Sequence, residues 1–103
     1  MTATLQSKIS VPSSVYVQPL VDETVILDTA TGKYYGLDNV GARIWNLLVE
    51  HRDVGTAFNI LLEEYNVEAP RLEKDLLELV DKLADMELVK IEEAAAQGQY
   101  QEI

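Results

Sequence analysis

The stretch Leu27-Asp28-Thr29-Ala30-Thr31-Gly32-Lys33-Tyr34-Tyr35-Gly36-Leu37-Asp38-Asn39-Val40-Gly41-Ala42-Arg43-Ile44-Trp45-Asn46-Leu47-Leu48 places a turn, a strand, a cap and a helix in one succession. Asp28 can bond the backbone that follows it, and Gly32 tolerates positive φ, so residues 28–32 carry the chemistry of a hairpin loop. Lys33-Tyr34-Tyr35-Gly36-Leu37 then returns as a strand. After Leu37 the apolar period changes from two to about 3.6. Asp38 or Asn39 can cap a helix that sets Val40, Ile44, Leu47 and Leu48 on one face, with Trp45 beside them, and that runs to about His51.

Working outward, the hairpin loop needs a strand before it, and Thr24-Val25-Ile26-Leu27 supplies one. Asp22-Glu23 is a turn, and Val15-Tyr16-Val17 is a strand ahead of it. Pro19 marks that first strand as an edge, because proline has no N–H to give a ladder. Residues 1–14 are small or polar without periodicity and read as a flexible arm. On the C-terminal side a second helix begins at Asp53 and puts Val54, Phe58, Leu61, Leu62 and Tyr65 on one face, ending near Asn66. A third opens at Ala69-Pro70, where proline is favoured because the missing N–H has no partner in a first turn. Leu72, Leu76, Leu79, Val80, Leu83 and Met86 follow at helical spacing, and Leu77 and Ala84 widen the stripe. Residues 88–91 read as a short closing strand and residues 92–103 as a polar tail. The expected fold is α+β, winged helix-turn-helix-like, with a three-stranded antiparallel sheet followed by three helices in one domain over residues 15–91.

A chain of 103 residues, 48% of them hydrophobic, supports one thin core. With 18 acidic against 8 basic residues, its net charge of -10 repels nucleic acid and anionic lipid and attracts cationic segments. Cysteine is absent, which excludes disulfides, thiolate metal sites and cysteine nucleophiles. The first fourteen residues carry only Lys8 and lack the apolar run of a secretory signal, and no stretch reaches the length of a membrane span. A cytoplasmic protein without membrane partners is expected.

A helix-turn-helix arrangement raises DNA binding. From Arg71 to Glu87, however, Arg71, Lys74 and Lys82 face six acids: Glu73, Asp75, Glu78, Asp81, Asp85 and Glu87. A helix of that sign is poorly suited to a major groove, although Lys33, Arg43 and Arg52 leave a basic patch elsewhere as the route to it. His51 is the sole histidine and sits where a helix C-terminus accommodates it. Two-histidine metal sites are thereby excluded, and no serine or threonine has a foreseeable base. Residues 28–32 lack the further acidic ligands of a calcium loop. No Asp-Ser pair offers a carrier-protein attachment site. No catalytic residue, metal or cofactor is therefore expected. Recognition of a polypeptide remains. An open sheet edge accepts an extended peptide through main-chain hydrogen bonds, and the wide stripe of the third helix either supplies pockets or packs on the other helices. Dimerisation through the same edge is the plainer alternative.

The block of residues 27–48 resembles the PqqD-like family: an aliphatic-Asp stretch, a glycine turn, a tyrosine strand ending in Leu-Asp, then Val-Gly-x-x-Ile-Trp-x-Leu-Leu. A looser likeness extends over residues 15–91, through Asp53-Val54, Ala57, Leu61 and Tyr65 and the acidic, leucine-rich third helix. The resemblance implies a recognition element for ribosomally synthesised, modified peptides, in which a precursor's leader adds as a strand. Carried over, it implies that Lys33, Tyr34, Tyr35, Gly36 and Leu37 receive the leader backbone. Some of Asp75, Leu76, Leu79, Val80, Lys82 and Leu83 line the groove, on a flank left open. A discrete chain of this kind is most similar to the leader-binding proteins of lasso-peptide biosynthesis, whose partners are a separate leader peptidase and an ATP-dependent cyclase. The alternative within the family is a peptide chaperone serving a radical enzyme in quinone-cofactor biosynthesis.

Overall fold

The computed structural model of the chain describes residues 3–93. Eight elements follow in the order β1 (Ser7–Ser10), β2 (Val15–Pro19), β3 (Thr24–Asp28), β4 (Tyr34–Leu37), α1 (Asn39–His51), α2 (Val54–Glu64), α3 (Ala69–Asp85) and β5 (Lys90–Glu93). Strands β2, β3 and β4 form a three-stranded antiparallel sheet in that spatial order, and three helices follow, so the α+β architecture expected from the sequence is the one observed.

The hairpin between β3 and β4 forms as its residues require. Asp28 is 4% exposed; its carboxylate accepts from the Ser14 hydroxyl at 2.7 Å and the Ala30 N–H at 3.0 Å. These donors favour the ionised form and hold the Asp28 carboxyl below the usual carboxylate range, the Ser14 hydroxyl contributing most. Gly32 takes φ 77°, the left-handed conformation the turn demands. The register sets Ile26 beside Tyr35 and Leu27 beside Tyr34. With side chains alternating between faces, Ile26, Tyr35 and Leu37 turn toward the helices while Tyr16, Leu27 and Tyr34 form a row on the opposite face, 60%, 37% and 68% exposed.

Each of the first two helices is capped as its sequence promises. The Asp38 carboxylate accepts from Gly41 N–H at 2.8 Å at the start of α1, and Asp53 accepts from Gly55 and Thr56 N–H groups at the start of α2. At the end of α3, Glu87 adopts φ 63° while its N–H donates to Ala84 carbonyl and Leu88 N–H to Leu83 carbonyl, a Schellman closure with Leu83 and Leu88 both fully buried. Ile44, Trp45 and Leu48 from α1 meet Leu61 from α2 and Leu72, Leu76, Val80 and Leu83 from α3 in the core.

Three expectations need correction. Val40 is 47% exposed, because the inward face of α1 is set by Gly41, Ile44, Trp45 and Leu48; Gly41 is there since a Cβ would lie 3.1 Å from the Leu37 side chain. Tyr65 is 37% exposed, and α2 buries Val54, Ala57 and Leu61 instead of a stripe through Tyr65. Regular structure begins before Val15: β1 pairs antiparallel with β5, which spans Lys90–Glu93 and so starts later than the closing strand read from residues 88–91. Ala3 and Ile9 are each 2% exposed, Ala3 N–H donates to Asp81, and Lys8 ion-pairs with Asp53 at 2.9 Å. The part of the expected tail at residues 94–103 lies outside the described residues.

Candidate peptide-binding site

The site begins with an unpaired strand edge. Strand β4 is bonded to β3 on one side only. Asp28 N–H donates to Lys33 carbonyl at 2.9 Å, which makes that pair a hydrogen-bonded one. Alternation along an antiparallel ladder then directs the N–H and C=O of Tyr35 and Leu37 to β3, and those of Tyr34 and Gly36 to the open edge. Among the described residues no further strand pairs with that edge, and β4 itself contains no proline.

Beside the edge lie two adjoining hollows that share Tyr35 and Leu79. One, about 270 Å³, is lined by Tyr35, Gly36, Leu37, Asp38, Val40, Gly41, Ile44 and Leu79. The other, about 290 Å³, is lined by Tyr35, Asp75, Glu78, Leu79 and Lys82. Together they make a groove between β4 and α3, apolar at one end and charged at the other. The Lys82 ammonium stands 5.7 Å from the centroid of the Tyr35 ring, within cation–π range. Lys74 pairs with Glu78 at 2.9 Å and Arg71 stands 3.8 Å from Asp75, so the two groove acids have basic neighbours one turn away on α3. A larger concavity of about 540 Å³ lies past the C-terminal end of α3, among Pro12, Asp28, Ala84, Asp85, Glu87, Val89, Lys90 and Ile91. Size alone would favour it, but it lies away from β4, and Asp28 within it already serves the hairpin.

The residues read from the sequence divide accordingly. Tyr35, Gly36, Leu37, Asp75, Leu79 and Lys82 are brought together on the groove, and Tyr34 lies on the same edge with its ring on the outer face. Lys33 precedes β4, and its carbonyl is taken by Asp28. Leu76, Val80 and Leu83 are each 0% exposed and belong to the core beneath. The flank of α3 that borders Tyr35 of β4 bears Asp75, Glu78, Leu79 and Lys82. The sequence reading does not single out Glu78, which it counts only among the acids of the third helix, or Val40 and Ile44, which it places on the apolar face of the first. The spacing 75, 78, 79, 82 was the available signal, being one helical face adjacent to the core stripe. Among the described residues no cluster of His, Asp or Glu could hold a metal ion, and no helix is long and apolar enough to cross a membrane.

Two solved structures share this fold. One, described as TbiB1 in complex with the TbiA(beta) leader peptide, is 37% identical, with a TM-score of 0.73 over 79% of this chain and 94% of that one. The other, a lasso peptide synthetase B1 complexed with the leader peptide, is 24% identical, with a TM-score of 0.72 over 80% of this chain and 96% of that one, and speaks for the fold alone. No curated protein matches the chain. The profile of coenzyme PQQ synthesis protein D matches residues 23–89, from the turn before β3 through the three helices to the start of the closing sheet, and the chain belongs to the PqqD family.

Proposed function

We propose that this chain is a non-catalytic adaptor that binds the leader segment of a ribosomally synthesised precursor peptide, of the lasso class, by strand addition to β4. The observation that carries the reading is the open edge of β4 running beside a groove that Tyr35, Leu79 and Lys82 define. Tyr34 and Gly36 supply the backbone donors and acceptors, Leu37 and Ile44 the apolar end, and Asp75, Glu78 and Lys82 the polar end. Residues 15–91 carry the recognition surface, and the pairing of β1 with β5 extends the folded unit beyond them at both ends. A 37% identical relative that holds a leader peptide supports the same reading. Held in this way, the leader presents the rest of the precursor to a separate leader peptidase and an ATP-dependent cyclase in the cytoplasm, raising its effective concentration there. The test is a titration of fluorescently labelled leaders from every short precursor gene beside this one. Saturable binding to one of them is expected, and its absence with all of them would sink the proposal.

The family description itself favours a second reading, service to a radical enzyme in quinone-cofactor biosynthesis. Gene neighbourhood separates the two: a peptidase and an asparagine-synthetase-like cyclase for the first, a radical enzyme for the second.

A further inference from the structure

Among the described residues nothing covers the outer face of the sheet at Tyr16, Leu27 and Tyr34, beside the proposed edge. Gly36 points to that face, as Tyr34 does, and contributes no side chain there. The carboxylate of Glu23 fills part of the gap: its Oε1 lies 3.0 Å from the position a Cβ on Gly36 would take. Glu23 is exposed and, among the described residues, has no ion-pair partner. Two residues back along β4, the Tyr34 ring is 68% exposed and ends the row begun by Tyr16 and Leu27. A strand added to β4 extends the row of Tyr16, Leu27 and Tyr34 and the row of Gln18, Val25 and Gly36 by one residue each, whichever way it runs, because neighbouring residues of paired strands point to the same face.

We infer that the peptide this chain takes carries a lysine or arginine beside Gly36, paired with Glu23 on the outer face, and an aromatic or aliphatic residue two positions away, against the Tyr34 ring. The inference rests on strand addition to β4 and names the side of the peptide that does not enter the groove. Gly36 leaves room for a long side chain to lie flat across the sheet. Glu23, in a chain of net charge -10, gives that side chain an anionic end point. The Tyr34 row provides apolar area that a fourth cross-strand neighbour would cover.

The test is selection of a displayed random-peptide library on the intact wild-type chain and on the Glu23→Lys and Tyr34→Ser variants. Wild type is expected to enrich a basic residue spaced two positions from an apolar one. Glu23→Lys is expected to exchange the basic residue for an acidic one at that position alone, and Tyr34→Ser to lose the apolar preference. In matched peptides, Lys to Gln at the selected position is expected to weaken wild-type binding about two- to fivefold, the effect of an exposed ion pair, and to leave Glu23→Gln unaffected. Enriched peptides whose charge preference ignores Glu23→Lys would overturn this inference and leave strand addition standing. Failure to enrich any peptide on wild type would overturn both. Both side chains are exposed, so circular dichroism of the variants is expected to match that of wild type.

Discussion

Leu79 and Val80 are neighbours in the chain with opposite fates. Leu79 is half-buried and lines both hollows, whereas Val80 is 0% exposed among Ile26, Leu48 and Leu76 in the core. Leu79→Asp is expected to lower leader affinity tenfold or more, about 1.4 kcal/mol, with a small change in thermal midpoint. Val80→Asp places an unpaired charge in the core and is expected to unfold the chain, since such burial costs several kcal/mol. Fluorescence titration beside thermal denaturation separates the two, and equal loss of folding in both would remove Leu79 from the groove. Asp28 gives a second prediction at this scale. Its folded pKa is depressed, so its contribution to stability is present above the unfolded value, about 4, and is lost as pH falls through the folded pKa. Urea unfolding should show wild type more stable than Asp28→Asn near neutrality, with the difference shrinking below about pH 4. A difference that stays constant with pH would mean that the charge of Asp28 plays no part.

At the level of elements, the ladder of β4 makes a prediction that alternates residue by residue. The Gly36 N–H faces the open edge and the Tyr35 N–H faces β3, so proline at the two positions should act on different properties. Gly36→Pro is expected to leave the sheet intact and to weaken leader binding up to about tenfold, the worth of one main-chain hydrogen bond. Tyr35→Pro removes a bond to β3 and is expected to lower stability, visible as loss of strand signal and an earlier urea midpoint. If Gly36→Pro bound the leader unchanged, strand addition at this edge would be wrong. Most of these elements were legible in the sequence because their signals are local. Asp38 and Asp53 cap the helices read from them, Pro70 stands in the first turn of α3, and Gly32 takes the positive φ its turn needs. Strand β1 was not legible: four residues, Ser7–Ser10, acquire their structure from β5, at the far end of the described chain, and from the isolated bridge between Lys8 and Asp53. Nothing in four residues announces so distant a partner. The groove was half legible for a related reason. Periodicity marked a wide stripe on α3, but only packing decides that Leu76, Val80 and Leu83 are core and that Leu79 with Asp75 and Lys82 borders β4.

Across the whole molecule, charge and closure act together. The short sheet of β1 and β5 ties the N-terminal segment to the end of α3, with Leu5 carbonyl so close to Gly55 that a Cβ there would stand 2.6 Å away. In the proposed complex, a groove backed by this closure would confine most of the ordering cost of binding to the peptide. The acidic charge also bears on the kinetics. A net charge of -10 on 103 residues produces a field that draws a cationic leader inward from beyond contact distance, and added salt screens it. The association rate of a lysine-bearing leader, followed by stopped-flow fluorescence, is therefore expected to fall by roughly tenfold between about 0.01 and 0.5 M salt, while the dissociation rate changes much less. In the proposed complex, steering acts on encounter, whereas the hydrogen bonds of β4 and contacts with Tyr35 and Leu79 would govern escape. An association rate that is flat with salt would mean that the acidic surface serves solubility alone; a dissociation rate carrying most of the salt dependence would place the ion pairs within the contact itself.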